Sequence, residues 1–397
     1  MPRPRAFAAS HVVSANSLED STRVLKRFLI RATLVLLGVI VAVVAAEIAL
    51  RLVFPVRQPL NTMPVNEANP VARYEPNKVV TYSKGWNFSL ANVVKVNNFG
   101  FVSNIDYDEE STTPLLAIIG DSYVEALMVP TDETGGAKLA ELLGGIARVY
   151  TFGKSGAPLS QYLIYAEYAR DTFSPDAMAI VVVSNDFDRS LTKYTSSSPS
   201  WHRFVENHDG ALELVRYDFS PSWKHRAVRK SALAMYLTAN LKLKELRLPW
   251  GSRGQAAVKG TAGDTRLNED PRAAARITDS KRAVDEFFSQ LPTRSGLSTS
   301  RIALVVDGLR PEVYEDSQPN SSQGRPFDVM RRYLMDAADS KGYVVIDMQP
   351  IFMNHYKTNG NRFEFPNDFH WNSLGHELFA DALAHSPLIA YLTDPHR

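Results

Sequence analysis

The pattern of apolar and polar positions is plainest near the N-terminus. From Ala32 to Ala46 fifteen residues run without a charge, and after the single Glu47 the apolar character resumes through Ile48, Ala49, Leu50, Leu52, Val53 and Phe54. Counted from Phe28, this exceeds the roughly 20 residues that a helix needs to cross a bilayer core. Uniform apolarity shows no amphipathic period, which sets it apart from a helix buried on one face. Arg23, Lys26, Arg27 and Arg31 crowd the N-terminal side. The positive-inside rule therefore predicts a cytoplasmic tail over 1–27, a single-pass anchor over 28–54, and everything after Phe54 outside the cytoplasm. Glu47, Arg51 and Arg57 fall late enough to snorkel to the outer interface. A cleaved signal peptide is the competing reading, because Val44-Ala45-Ala46 resembles a small-residue cleavage site. The apolar run continues past that point, and either reading exports the rest of the chain.

The pattern then changes. Residues 55–75 carry Pro55, Pro59, Pro64 and Pro70 among polar residues, which predicts a stalk. Alternation over 78–105 predicts short strands with a turn at Asn98 to Gly100, so 55–113 reads as a stalk and N-terminal strand extension. From 114 onward short apolar runs alternate with helical patterns. Strands are expected at Leu115 to Ile119, Ala147 to Phe152, Ala177 to Val183, Ile302 to Val306 and Tyr343 to Ile346. Helices are expected over about 133–145, 158–172, 273–291, 326–340 and 373–385, with a mostly helical stretch directly after Ser122. Strands separated by helices predict an α/β doubly wound parallel sheet with helices on both faces, spanning 114–397. An insertion at about 195–275 breaks the rhythm, with a hairpin turning at His208 to Gly210, a helix over Ser231 to Leu246, and a polar loop over 251–271.

Composition adds two constraints. Formal net charge is +1, so no global field points to nucleic acid. The absence of cysteine excludes disulfides, thiolate metal sites and a cysteine nucleophile. His370 and His376 stand six apart rather than three or four, which gives no support for a metal, and no cofactor is implied.

Gly120-Asp121-Ser122 follows a buried-type strand and opens a helix. Ser122 would therefore project from the C-terminal edge of a parallel sheet, where open α/β sheets place their ligands. A serine there is also an ordinary helix cap. To act as a nucleophile it needs a base, and the base needs an orienting carboxylate. Asp368 and His370 supply that pair on what reads as a loop entering the last helix; in the blander alternative Asp368 caps that helix and His370 is a surface residue. His376 and His385 lie inside the helix without such an acid. After the second strand, Gly153 and Gly156 permit close approach of backbone N–H groups. After the third, the Asn185 amide could donate to an oxyanion.

Serine after the first strand, glycine after the second, asparagine after the third and Asp/His before the last helix resemble, in that order, the SGNH (GDSL-type) hydrolase family over roughly 114–385. Tyr74-Glu75-Pro76-Asn77 and Asn97-Asn98-Phe99-Gly100-Phe101 are similar to its membrane-anchored bacterial members. The resemblance implies a flavodoxin-like sheet with Ser122 as nucleophile, His370 as base and Asp368 as acid. It further implies an oxyanion hole from the Ser122 N–H, the Gly156 N–H and the Asn185 side chain, Gly156 aligning better than Gly153. The family's block is D-x-x-H, whereas Asp368-x-His370 is one residue shorter. Asn367 holds the position of the longer spacing's acid, and a main-chain carbonyl could orient His370 instead. The implied function is a serine esterase or acylhydrolase at the cytoplasmic membrane, its domain in the periplasm. Its substrate would be ester-linked acyl groups, such as those on surface or secreted polysaccharide. The alternatives are an O-acyltransferase passing the acyl group to a sugar hydroxyl, and an inactive polysaccharide-binding or scaffold subunit.

Overall fold

The computed structural model describes residues 13–195, 200–242, 271–314, 325–366 and 368–393. The chain opens with one helix, α1 (Val13–Leu52), whose segment Thr22–Leu52 is long and apolar enough to span a membrane and contributes nothing to the protein core. It continues without a break into the stretch read as a cytoplasmic tail. The stalk expectation is corrected. Val56, Val65, Val71, Ala72 and Tyr74 are buried, so residues 55–75 pack against the domain rather than leading away from it. Next comes an antiparallel hairpin, β1 (Lys78–Lys84) and β2 (Leu90–Val96). The segment after it seals the sheet edge, stacking Tyr107 on Tyr150 with ring centroids 3.9 Å apart.

The main domain then runs β3 (Leu115–Gly120), α2 (Ser122–Glu125), α3 (Gly135–Leu143), β4 (Arg148–Gly153), α4 (Leu159–Phe173) and β5 (Ala177–Val182). The insertion holds a hairpin, β6 (Arg203–Glu206) with β7 (Leu212–Val215), then α5 (Trp223–Arg229) and α6 (Ala232–Met235). The chain closes with α7 (Pro271–Ser295), β8 (Ile302–Val306), α8 (Arg310–Tyr314), α9 (Pro326–Ser340), β9 (Val344–Asp347), α10 (Met348–Asn359), β10 (Glu364–Phe365), β11 (Asp368–Trp371), α11 (Ser373–Ala384) and α12 (Ala390–Thr393). Five strands form one parallel sheet in the order β4-β3-β5-β8-β9. In order of appearance along the chain this is 2-1-3-4-5, the flavodoxin-like winding, and its direction reverses between β3 and β5.

The two faces follow from the period-2 alternation of a strand. Leu115, Ala117 and Ile119 face a core built with Tyr162 of α4, Phe287 of α7 and Leu334 of α9. Leu116 and Ile118 face Leu139 of α3, Phe352 of α10 and Phe379 of α11. Every position of β3, β5 and β8 is buried, which is why these strands are uninterrupted apolar runs in the sequence.

Other expectations shift. The stretch after Ser122 is a single turn that stops at Ala126 in the left-handed region (φ 53°). The helix expected over Ser231 to Leu246 is α6 followed by a π-helical turn, Tyr236–Asn240. Its end and the polar loop lie outside the described residues, as does Asn367.

Candidate active site

β3 ends at Gly120, and the chain turns at once into α2. Asp121 caps that turn, its carboxylate accepting from the Tyr123 N–H at 2.9 Å. Burial pushes the Asp121 carboxyl up, against the pull of that backbone bond and of nearby His370. Ser122 follows, nine-tenths buried.

Asp368 and His370 lie on strand β11, not on a loop entering the helix. The cap of α11 is Asn372, whose side chain accepts from the Gly375 N–H at 3.1 Å, so the helix-cap reading of Asp368 is corrected too. The strand explains the short spacing. Residues two apart on a strand point to the same side, and the intervening Phe369 points away and is 67% exposed. His370 Nε2 lies 2.7 Å from Ser122 Oγ, and its Nδ1 is hydrogen-bonded to Asp368 Oδ1. The carboxylate thus orients the imidazole without any main-chain carbonyl. Ser122 Oγ also lies 3.2 Å from Asp121 Oδ2. The hydroxyl has one proton, and the shorter contact to His370 is the better bond.

Three braces hold β11 in place. Tyr123 Oη donates to the Phe369 carbonyl at 2.8 Å, and its ring packs 4.9 Å from the His370 ring. Trp371 Nε1 donates to Asp307 Oδ1 at 3.0 Å, just past the end of β8. Arg310 pairs with the same Asp307 at 2.9 Å and reaches the Phe369 carbonyl at 3.3 Å. The turn that carries Ser122 and the strand that carries His370 are therefore tied directly and through the sheet edge.

The strand extension supplies a residue that the sequence did not single out. Lys84, the last residue of β1, donates to Asp368 Oδ2 at 2.6 Å. The two carboxylate oxygens thus serve different partners, one the imidazole and the other the ammonium. Burial alone would raise Asp368. The hydrogen bonds and charges of His370 and Lys84 outweigh it and hold the carboxyl well below the usual carboxylate range.

Gly156 and Asn185 each lie three residues beyond the ends of β4 and β5, the two strands that flank β3. Both are half-buried. Gly156 adopts φ +83° with open space where a Cβ would stand, so its constraint is backbone conformation. Gly153 is different. A Cβ there would lie 2.9 Å from the Glu125 nitrogen and 3.0 Å from the Asp121 carbonyl, so its role is to let β4 pass under the turn that carries Ser122. A second residue outside the expected set links the two blocks. Glu125, buried in the last position of α2, accepts from the Ser155 N–H at 2.9 Å and is hydrogen-bonded by the Ser155 and Tyr74 hydroxyls. Buried Lys154 stands between the rings of Tyr74 and Trp201, 4.9 Å from each. Burial pushes Glu125 up and Lys154 down, and their mutual attraction opposes both shifts.

The other histidines stay apart. His376 is buried, accepts from the Gly135 N–H at 3.2 Å, and is depressed to about 3 by burial and then by His370. His385 is exposed beyond α11. Among the described residues no cluster of His, Asp and Glu has metal-ligand geometry.

No family model and no curated protein matches the sequence. Solved structures similar to this chain include GDSL-type lipolytic enzymes and esterases. The acetyl xylan esterase AlAXEase is 13% identical with a TM-score of 0.36, the alignment covering 68% of this chain and 97% of that one. The psychrotrophic esterase EstA from Pseudoalteromonas is 9% identical with a TM-score of 0.34, covering 68% and 93%. A member of the lipolytic G-D-S-L family from Veillonella parvula is 11% identical with a TM-score of 0.32, covering 68% and 94%.

Proposed function

We propose that the protein is a serine ester hydrolase in which Ser122 is the nucleophile, His370 the general base and Asp368 its orienting acid. The observation that carries this reading is the 2.7 Å contact of Ser122 Oγ with an imidazole whose other nitrogen is held by a carboxylate. Serine hydroxyls are weak nucleophiles until a positioned base accepts their proton. Here the Ser122 proton passes to His370 Nε2 as Oγ bonds to the ester carbonyl carbon. Asp368 stabilises the imidazolium that forms without itself taking the proton. The developing oxyanion is received by the N–H groups of Ser122 and Gly156 and by the Asn185 side chain. His370 returns its proton to the leaving alkoxide, and the acyl-enzyme is then cleaved by water that His370 deprotonates.

The apolar, unburied helix Thr22–Leu52 and the Arg and Lys residues in its first turns support an anchor with the catalytic domain outside the cytoplasm. On that placement the substrate class is an ester-linked acyl group outside the cell membrane, with O-acylated polysaccharide the form suggested by the resemblance. A fluorophosphonate probe tests the nucleophile. The wild type labels and Ser122→Ala does not; equal labelling of both would overturn the assignment. Assaying acetate release from acetylated polysaccharide beside short aryl esters and phospholipid separates the substrate classes.

A further inference from the structure

The outer end of α1 is not a free tether. Glu47 accepts from the Ser231 hydroxyl at 2.8 Å and from the Ala232 and Leu233 N–H groups, each at 2.9 Å. Arg51 pairs with Glu47 at 2.6 Å and donates to the Lys230 carbonyl at 2.5 Å. Phe54 stacks on Phe88 at 5.7 Å, and Phe88 packs on Tyr236 at 5.6 Å. The Tyr236 hydroxyl then donates to the Trp86 carbonyl at 3.0 Å. The end of the helix, the turn of the β1–β2 hairpin and the second half of the insertion are therefore locked together at the level where the uncharged run stops.

That level carries a distinctive surface. Trp86 and Trp223 are 68% and 70% exposed, and Val228 is 59% exposed. A seven-residue helix is too short to be stable by itself in water. Yet Trp223, Lys224, Arg226, Ala227 and Val228 of α5 are all exposed. From Phe219 to Leu243 the sequence has Lys224, Arg226, Arg229, Lys230 and Lys242 and no acidic residue. Tryptophan and cationic side chains together match the chemistry of the headgroup layer, where amphipathic rings settle and anionic phosphates attract Lys and Arg.

We propose that α5 and the Trp86 turn lie in the outer headgroup layer of the same bilayer that holds α1, docking the catalytic domain on anionic lipid. This rests on the membrane-anchor reading, and continuity with the end of α1 is what names the occupant. It has a consequence for the site. Trp86 is two residues from Lys84, at most ~7 Å of chain, and Lys84 holds Asp368. The triad is thereby kept at the membrane surface, and the insertion serves as its seat.

The native chain contains no cysteine, so single spin labels report unambiguous positions. The full chain carrying Val39→Cys, Trp86→Cys, Trp223→Cys or Ile146→Cys is reconstituted into vesicles containing phosphatidylglycerol. Depth is then measured from the relative accessibility to oxygen and to a water-soluble nickel chelate. The expected result places position 39 in the hydrocarbon core, 86 and 223 at headgroup depth, and 146 in water. Exchanging Lys224, Arg226 and Lys230 for Gln should move the label at 223 toward water. A core signal at 39 with aqueous signals at 86 and 223 overturns the dock and leaves the anchor standing. An aqueous signal at 39 overturns the anchor itself.

Discussion

Lys84→Met removes one ammonium from the triad and keeps most of its side-chain volume. In the native site the ammonium donates to Asp368 Oδ2 at 2.6 Å, with the Asp368 side chain 7% exposed and that of Lys84 32% exposed. A charge-assisted hydrogen bond contributes about 1.5–3 kcal/mol when shielded from water. The partly wet Lys84 end discounts this to ~1–2 kcal/mol. Lost from the orientation of the carboxylate, and hence of His370, that lowers kcat roughly 5- to 30-fold. Lys84→Arg keeps the charge and should restore most of the lost rate, even if the fit is poorer. The assay is hydrolysis of a short aryl ester by wild type and both variants across the pH range. A Lys84→Met enzyme with the wild-type profile and wild-type kcat would refute the positioning role. A Lys84→Arg enzyme as slow as Lys84→Met would refute the electrostatic part.

Other outcomes follow from the same geometry. Glu125→Ala leaves Lys154 buried without its counter-charge and the Ser155 N–H without its acceptor. It should cost about 3–5 kcal/mol in urea unfolding, with kcat falling more than KM rises because the loop bearing Gly156 is released; a loss under 1 kcal/mol would contradict the brace. The two glycines should differ. Gly156→Ala meets open space and pays only for its φ of +83°, about 1–2 kcal/mol. Gly153→Ala collides with backbone of the nucleophile turn and should be the more damaging to folding. Acid should weaken the fold through two buried histidines, with His202 depressed to about 4 and His376 to about 3 by burial. Their folded pKa values lie below the unfolded value, so stability is lost as pH falls below about 6.5. At pH 4.5 the loss reaches roughly 2–3 kcal/mol for each. Urea midpoints at pH 7 and 4.5, with His376→Asn reducing the difference, provide the check.

What the sequence made legible is what is periodic or local. The parallel sheet could be read because β3, β5 and β8 are buried on both faces and so appear as unbroken apolar runs between helical patterns. The insertion's hairpin could be read from its turn residues. The five-residue α8 escaped because little more than one helical turn leaves no period to count. The stalk was misread because prolines in a polar context look alike whether the chain leaves the domain or winds over it; only the burial of Val65, Val71 and Ala72 distinguishes them.

The site divides along the same line. Ser122, Asp368 and His370 stand out because their neighbours in sequence are also their neighbours in chemistry, and the Asp-x-His spacing becomes intelligible once β11 is a strand. Taken as a loop, that spacing makes a main-chain carbonyl an equal candidate to orient the imidazole. Taken as a strand, it puts both side chains on one side and leaves Phe369 on the other. Lys84 and Glu125 belong to a different kind of information. Lys84 stands 284 positions from the carboxylate it pairs with, at the end of an alternating hairpin where a lysine is the usual solvated residue. Glu125 lies on a single helical turn, and its function depends on a loop 30 residues later. Neither pairing has a local signature, since opposite charges this far apart in sequence carry no periodicity and no turn chemistry. The groups most open to being missed are thus the ones that connect segments, and in this chain they join the N-terminal extension and the loop bearing Gly156 to the same three residues. The extension is for that reason part of the site's construction, since it supplies both the Lys84 partner of Asp368 and buried residues of the core that carries Ser122.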